Sequence, residues 1–489
     1  MPLLKANMPP GLPEILRTES PRLNPRPVPI ISRLIGGGAI LLFLALLAQA
    51  ILRDGLSAWS VGIAYIGYDT VLLGFTAWHM RRILKSAPPE PSATMADMPK
   101  LDTPSMGVII AAHNEERAIP VTIDALLRQT DQPDLIVIAD DGSTDGTAQL
   151  LASRYGLTPH VKNTQAGRPD LLWLPVPHGG KARALNYAIT HVDSEIVLTV
   201  DADTLIEEHA IGVLRMRFSG ETALVAATGV LTPVCGRGAS GRFFEWFQRY
   251  EYIRNFISRF AWMQINALLL ISGAFAAFRR EAVMAVGGFD PECLVEDYEL
   301  IHRLHRHSID HNLGWTVRVV GDAQARTDAP ETLPAFLRQR RRWFAGFLQT
   351  QRWNRDMTGN GRFGYLGTLM MPIKALDTLQ PLYGLAAFGT LIWLVATGNF
   401  GIAFPILLVM LAKIIIDMTF HLWSLSVYRK WTGGTHSISW SKAVLAAVLE
   451  PFSFQLMRHA GAAWGWFTFL TGRQSWGRQN RGGIMAQAD

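Results

Sequence analysis

The stretch Glu195-Ile-Val-Leu-Thr-Val-Asp-Ala-Asp-Thr204 predicts a buried strand that ends in two aspartates. An apolar, β-branched run of this length between polar residues is typical of such a strand. Asp201 and Asp203 then lie where the strand leaves the sheet, and open α/β sheets bind their ligands at that edge. Alternate strand residues point the same way, so both carboxylates suit a hard divalent cation that is shared with a phosphate. The alternative is a loop pair that caps the next helix.

Segments on both sides of this strand follow an α/β pattern. Apolar runs that end in turn residues predict strands, and stretches with helical spacing predict helices between them. This alternation favours a parallel sheet. The expected strands are 107–112, 135–139, 171–175 and 272–278, and the expected helices are 113–129 (with Asn114 as N-cap), 144–155, 182–191, 240–271 and 294–307.

Two of these helices have unusual compositions. Aromatic residues and arginines alternate in 240–271, which indicates an amphipathic helix packed on the core, or else a surface that meets lipid headgroups or stacks on sugars. In 294–307, the residues His302, His305 and His307 could suggest a metal site. A solvated basic helix face is the simpler interpretation.

The composition predicts a protein that is partly membrane-embedded and partly soluble. Of 489 residues, 49% are hydrophobic and 18% charged, and the formal net charge is +6. The excess of Lys and Arg fits an anionic membrane surface or a nucleotide phosphate, whereas no basic run indicates nucleic acid. The two cysteines, Cys235 and Cys293, cannot form a disulfide framework and suggest a reducing compartment.

Long apolar segments flank the α/β region. The segments 35–52 and 58–80, the second interrupted by Asp69, are long enough to span a bilayer, since about 20 residues are needed. Basic residues before and after this pair place both flanks in the cytoplasm, and with them the central domain. Further spans are expected at 379–397 and 402–427, and 443–470 is one span, a broken pair or partly interfacial.

Charged residues inside these segments are candidates for function. Asp417 and Glu450 are expected to face the interior of the helix bundle. The amphipathic segment 333–353, rich in Arg, Trp and Phe, suits a helix in the membrane interface. The expected organisation is a disordered segment 1–30, a transmembrane hairpin 31–85, a linker 86–103, an α/β domain 104–330, interfacial helices 331–365, a transmembrane region 366–470 and a basic tail 471–489.

Short motifs with chemical potential occur in a fixed order along the α/β region. Each is weak alone: Gly179-Gly-Lys181 lacks the remaining residues of a phosphate-binding P-loop, and Asp140-Asp-Gly-Ser143 is commonly a turn. Taken together in this order and with the Asp201/Asp203 pair, the motifs are strong evidence for a functional site. The set is Ala112-His-Asn-Glu115, Asp140-Asp-Gly-Ser143, Gly179-Gly-Lys181, Asp201-Ala-Asp203, Glu296-Asp297 and Gln339-Arg-Arg-Arg-Trp343.

With these motifs, residues 105–350 resemble the membrane-embedded family-two glycosyltransferases: the hyaluronan, chitin, cellulose and poly-N-acetylglucosamine synthases. The resemblance implies an α/β GT-A fold between transmembrane helices and a UDP-sugar donor. It also implies an enzyme of the inner (plasma) membrane that inverts configuration, extends a polysaccharide acceptor and secretes it through its own helices.

The resemblance also implies roles for the motif residues. Asp201 and Asp203 would hold Mg²⁺ or Mn²⁺ against the diphosphate. Asp297 would be the base that accepts the proton of the attacking hydroxyl, and Glu296 would orient the acceptor. The alternative for this pair is a helix N-terminal charge effect.

The remaining motif residues correspond to substrate contacts in the family. Arg342 would grip the diphosphate with its two-pronged guanidinium. Trp343 would stack on the acceptor sugar, or else it anchors the helix at the membrane interface. The other implied contacts are His113, Glu115 and Asp140 with the uridine, Lys181 with the diphosphate or uracil, Ser272 and Gly273 in a strand beneath the acceptor, and Gln339 in the last motif.

The sequence departs from the family pattern at two places, where Val295 replaces a usual Thr and His113 a usual Tyr. No cyclic-di-GMP module follows the last expected spans, which favours a shorter synthase of the poly-N-acetylglucosamine or hyaluronan type, or one regulated by an accessory membrane or periplasmic subunit. One alternative is a non-processive enzyme that moves a single sugar to a polyprenyl phosphate or other lipid. Another is a scaffold or transporter-like subunit with an inactive transferase domain, against which the full set of acidic motifs argues.

Overall fold

The computed structural model describes residues 11–52, 55–85, 103–434 and 439–472. Almost all of the expected linker, most of the basic tail and the first ten residues lie outside the described residues.

The N-terminal segment packs against the central domain. Helix α1 (Leu12–Glu19) buries Leu12 and Leu16. Arg22 donates two hydrogen bonds of 2.9 Å to the buried carboxylate of Asp290. The expectation of disorder is therefore wrong for residues 11–30. A proline-rich composition does not reveal contacts that reach 268 positions along the chain.

Two long apolar helices follow and contact each other. They are α2 (Ile30–Leu52) and α3 (Ser60–Lys85), and a 3₁₀ turn at Gly55–Trp59 leads into the second. Both are long and apolar enough to cross a membrane, which agrees with the expected spans at 35–52 and 58–80.

A nine-stranded mixed sheet forms the centre of the α/β domain, in the order β3-β4-β2-β1-β5-β8-β7-β9-β6. Its strands β4, β2, β1 and β5 run parallel, whereas β8 runs antiparallel to β5 and to β7. The parallel sheet expected from the sequence is thus right for one half only. The strands are β1 (Met106–Ala112), β2 (Leu135–Asp141), β3 (Lys162–Asn163), β4 (Asp170–Val176), β5 (Ile196–Asp201), β6 (Thr204–Ile206), β7 (Leu224–Val234), β8 (Phe275–Arg279) and β9 (Thr316–Asp328).

Helices cover the sheet and largely agree with the expected positions. The helix expected at 113–129 is an exception, because it begins only at Ile119. Asn114 has a φ of +57°, which an α-helix does not accommodate, so residues 113–118 form a loop. The helices of the domain are α4 (Ile119–Leu127), α5 (Thr147–Tyr155), α6 (Lys181–Ile189), α7 (Ala210–Gly220), α8 (Ala239–Met263), α9 (Arg280–Ala285) and α10 (Glu296–Asp310).

The histidines of α10 are not a solvated face. His302 and His305 are buried, and their ring N–H groups each donate a 2.8 Å hydrogen bond, to the carbonyls of Tyr298 and Leu268. Burial lowers the pKa of His302 to about 3, so its ring is neutral. The expectation of solvation is wrong because α10 is covered on more sides than its polar composition suggests.

The C-terminal third of the chain is helical. Two of its segments, Leu366–Ala396 and Phe400–Trp431, are long and apolar enough to span a membrane. The ambiguous segment 443–470 is a pair of helices broken at the 3₁₀ turn Glu450–Phe452. The helices are α11 (Leu333–Trp353), α12 (Met371–Ala396), α13 (Phe400–Trp431), α14 (Trp440–Leu449) and α15 (Phe454–Thr471), with a 3₁₀ turn at Gly361–Phe363 and a π-helical turn at Leu366–Met370 before α12.

Charged residues of this region form ion pairs. Lys413 in α13 pairs with Asp417 and, at 2.6 Å, with Asp69 of α3. The expected interior position holds for Glu450, which is buried and pairs with Arg254 of α8. Asp417 is only half-buried, at the contact between α13 and α3.

Candidate active site

The motif residues of the sheet meet at the carboxyl edge of its parallel strands. In the register of the sheet, Ala111 of β1 lies opposite Asp201, and Ala112 lies opposite Asp140. The D-x-D pair is split by the end of β5, because Asp201 is its last residue and Asp203 lies buried in the following turn. The side-chain alternation of a strand therefore does not extend to Asp203.

A loop and two strand ends build one side of the site. Asp140 accepts hydrogen bonds from the backbone N–H of Ser143 (2.9 Å) and the indole N–H of Trp173 (3.3 Å). The imidazole of His113 donates to the carbonyl of Asp141 (2.7 Å) and stacks on the ring of His178, with the ring centres 4.3 Å apart. These side chains form one polar cluster at the carboxyl edge of the sheet.

Two residues of this cluster, Asp141 and His178, were not among the predicted site residues. The carboxylate of Asp141 accepts the backbone N–H groups of Gly179 (2.7 Å) and Gly180 (3.0 Å), and His178 lies 3.0 Å from it. Ligand atoms of His113, Asp141 and His178 lie within 4.8 Å of one another. Asp141 follows Asp140 directly, so the Asp-Asp-Gly-Ser motif already contained the signal.

Glu115, the third residue predicted to contact the uridine, has its backbone hydrogen-bonded to the segment after β2. The backbone N–H of Glu115 donates to the hydroxyl of Thr147 at 3.1 Å. The side-chain amide oxygen of Asn114 accepts the backbone N–H of Thr144 at 2.7 Å. The left-handed backbone of Asn114 thus joins the loop after β1 to the loop after β2.

Lys181 connects three of the motifs. Its ammonium lies 2.5 Å from a carboxylate oxygen of Asp201 and 3.5 Å from one of Glu296, and it donates to the carbonyl of Gly273 at 3.3 Å. Burial opposes the charge of Lys181, but the two carboxylates outweigh it and raise its pKa. The amine therefore stays protonated at the centre of the site.

The acidic pair begins α10 and faces the loop before β8. The backbone N–H of Gly273 donates to Asp297 at 2.8 Å. Glu296 is buried, and burial raises its pKa although Lys181 opposes the shift. Ser272 and Gly273 lie in the loop before β8, not in the strand itself, because β8 begins at Phe275.

Helix α11 packs beside the site, and the segment 333–353 predicted to be helical is confirmed to the residue. Arg342 donates to the carbonyl of Leu294 at 3.3 Å, two residues before the acidic pair. The guanidinium of Arg340 lies 4.6 Å from the ring centre of Trp343. Gln339 is buried in the same helix.

A cavity of about 340 Å³ leads from this site toward the helices predicted to span the membrane. Asp297, Ser272 and Trp343 are among the residues that line it. Residues of α12 and α15 also line it, among them Pro381 and His459. The site thus combines a polar cluster at the sheet edge with a partly apolar cavity.

Comparison with known sequences identifies the domain that carries this site. The pattern of the family described as "Glycosyltransferase like family 2" matches residues 104–346. This range contains every motif singled out above. Residues 104–346 form a family-two glycosyltransferase domain. The family match therefore indicates a sugar-transferring domain at residues 104–346.

Curated relatives are similar to about half of the chain. The glycosyltransferase domain is similar to the poly-beta-1,6-N-acetyl-D-glucosamine synthase of Staphylococcus aureus strain COL, with 28% identity over 49% of this chain and 53% of that protein. It is also similar to the probable glycosyltransferase YdaM of Bacillus subtilis, with 27% identity over 50% and 56%. The chain thus matches only about half the length of these relatives.

Among solved structures, a mannosyltransferase from Pyrobaculum calidifontis in complex with GDP-Man and Mn²⁺ resembles this chain. The TM-score is 0.54 at 21% sequence identity, and the match covers 84% of this chain and 99% of that one. The likeness confirms the GT-A-like fold of the glycosyltransferase domain.

Proposed function

We propose that this enzyme is an inverting, processive glycosyltransferase that builds a polysaccharide from a UDP-sugar and translocates it across the inner membrane. The observation that carries the proposal is the cavity that begins at Asp297 and Trp343 and is also lined by α12 and α15. An enzyme that releases a soluble product has no need of such a cavity. A polymer that grows at the cytoplasmic face must pass the bilayer.

The proposed chemistry is a single displacement. The acceptor hydroxyl attacks the anomeric carbon of the donor as the bond between that carbon and the UDP oxygen breaks. Asp297 takes the hydroxyl proton, and UDP leaves with its electron pair. The backbone N–H of Gly273 orients the Asp297 carboxylate for this step. A positioned general base of this kind contributes about 10²- to 10⁴-fold.

The charge of the leaving diphosphate needs cations at the sheet edge. Arg342 and Lys181 are the protein's own positive groups there, and the 2.5 Å contact of Lys181 with Asp201 indicates that this carboxylate attracts cations. Its oxygen donors fit Mg²⁺ or Mn²⁺ together with Asp203. A bound ion of this kind supplies charge stabilisation to the diphosphate. On this proposal His113, Glu115 and Asp140 hold the uridine.

The acceptor is proposed to lie across Trp343, with its reacting hydroxyl at Asp297. Trp343 is held by the guanidinium of Arg340, which in turn donates two hydrogen bonds (2.9 and 2.6 Å) to buried Glu251 of α8. A ring that is fixed in this way presents a flat face to a sugar. The polymer would then pass between α12 and α15, with the catalytic domain in the cytoplasm and an accessory subunit as a further partner.

Polymer synthesis by the purified, full-length protein in detergent tests the proposal. UDP-N-acetylglucosamine, UDP-glucose, and UDP-glucuronate mixed with UDP-N-acetylglucosamine are offered in turn with Mg²⁺ or Mn²⁺, and the product is sized. A long product from one of these donors is expected. A product with a single added sugar on a lipid would overturn processivity and support the polyprenyl-phosphate alternative.

A further inference from the structure

Arg259 is a half-buried cation that lines the cavity beside Asp297. It lies on the face of α8 that also presents Tyr252, Phe256 and Trp262 to this cavity. Its Nε and Nη1 atoms are buried and have no hydrogen-bond partner among the described residues. Since buried polar groups are nearly always hydrogen-bonded, these two nitrogens are open to a ligand that supplies acceptor atoms.

Apart from Asp297, whose carboxylate acts on Arg259 through space, the other charged side chains that line the cavity are paired with one another. Arg340 donates two hydrogen bonds to Glu251, and Arg458 lies 3.7 Å from the same carboxylate. Lys374 forms a 2.7 Å ion pair with Asp377. These pairs balance most of the charge of the lining and leave the guanidinium on α8 as a positive group without an ion-pair partner among the described residues.

No nearby aromatic group supplies the hydrogen-bond acceptor that this guanidinium lacks. The ring centre of Phe256 lies 4.6 Å from the guanidinium carbon of Arg259, but an aromatic face provides no acceptor for its in-plane N–H groups. Burial lowers the pKa of Arg259 to about 10, while Tyr252 and Asp297 oppose the shift. The group is therefore still charged at neutral pH.

We propose that Arg259 binds an oxyanion group, a carboxylate or a phosphate, that is carried by the acceptor. Two oxygens of either group match the paired N–H donors of a guanidinium. The inference rests on the proposed function, because it takes this cavity to be the place of the acceptor. It makes the acceptor an acidic molecule, either a chain that contains a uronic acid or a lipid that ends in a phosphate.

Ligand binding by the full-length protein in detergent tests this inference. Calorimetric titrations compare two matched pairs, methyl β-D-glucuronide with methyl β-D-glucoside and citronellyl phosphate with citronellol. UDP is present at saturation so that the diphosphate site is filled. The wild type is expected to bind one anionic member at least tenfold more tightly than its neutral counterpart, and the pair that shows the preference identifies the source of the oxyanion.

Variants connect the preference to this residue. Arg259→Gln is expected to abolish it and Arg259→Lys to retain part of it. Arg249→Gln is the matched control, because Arg249 lies on the same helix but pairs with Glu245 at 3.4 Å and should leave the preference unchanged. Equal binding of both members of each pair, no binding of any of the four compounds, or a preference that survives in Arg259→Gln would overturn the proposal. Because binding is measured directly, the test works even for a protein that makes no polymer.

Discussion

The backbone N–H of Gly273 donates a 2.8 Å hydrogen bond to Oδ2 of Asp297, so the loop before β8 holds the first turn of α10. The other oxygen of this carboxylate accepts the backbone N–H of Tyr298, also at 2.8 Å. A β-carbon at position 273 would lie 2.9 Å from Oδ2 and 3.1 Å from the carboxylate carbon. A side chain at position 273 would therefore push the carboxylate of the proposed base out of its place.

Gly273→Ala should displace the Asp297 carboxylate and lower kcat by about 10²-fold, the order expected for a misplacement of about 1 Å at a reacting group. Donor affinity should change little, because the residues proposed to hold the uridine lie on other loops. Steady-state UDP release and a UDP-binding titration measure the two effects. Gly238→Ala is the control, since a β-carbon there meets no described atom within 4 Å. Equal activity of the two variants would contradict this account.

Trp343→Ala should retain donor binding and donor hydrolysis but lose elongation, because the acceptor loses the ring on which it stacks. Product length and UDP release measured in the same reaction separate the two effects. Trp464→Ala tests the alternative role of an interface anchor, since Trp464 of α15 forms a similar stack, 4.8 Å from the guanidinium of Arg341. A parallel fall of hydrolysis and elongation in Trp343→Ala would show that stacking is not its role.

Lys181→Met should move the acidic limb of the activity profile to higher pH. Burial raises the pKa of Glu296, and the ammonium of Lys181 lowers it, so loss of this ammonium raises the pKa further. Glu296 then becomes protonated at a higher pH than in the wild type. The protonated carboxyl can no longer accept hydrogen bonds at both of its oxygens. The position of the acidic limb is measured from the residual rate of UDP release between pH 4 and 9. Lys181→Arg keeps the positive charge and should leave the acidic limb at its wild-type pH. A limb that moves in Lys181→Arg but not in Lys181→Met would refute the role of this charge.

Gly461→Ala should destabilise the protein although alanine favours helices. A β-carbon there would lie 2.7 Å from the β-carbon of Arg340, because α15 packs closely on α11. Overpacking costs about 1–3 kcal/mol, against about 0.5–1 kcal/mol gained from helix propensity. A lower thermal unfolding midpoint in detergent is expected. Gly389→Ala in α12 meets no described atom within 4 Å and should be neutral or stabilising. If both variants had the same midpoint, the close packing would be in doubt.

Local sequence patterns predicted the parts of the site that depend on strand ends. Buried strands β1, β2 and β5 were expected from apolar runs, and their register brings Asp140 and Asp201 to one edge. Helix α11 was also expected with its observed bounds, because its sequence is amphipathic and rich in Arg, Trp and Phe.

Features that depend on distant contacts were not predicted. The N-terminal segment is ordered by the pair of Arg22 and Asp290, and no local pattern reports such a pair. His302 is buried by elements from elsewhere in the chain, and the orphaned N–H groups of Arg259 follow from the packing of α8. The loop at Asn114 replaced an expected helix start because its left-handed backbone serves the contact with Thr144.

Sugar transfer by Asp297→Asn tests the central claim most directly, namely that the carboxylate held by Gly273 is the base of the reaction. The variant should bind UDP like the wild type and lose transfer by about 10²- to 10⁴-fold. Glu292→Gln is the matched control, because this half-exposed acid lies five residues earlier and should leave transfer unchanged. Unchanged transfer in Asp297→Asn, measured as sugar incorporated from the donor, would contradict the account and return the domain to a scaffold role.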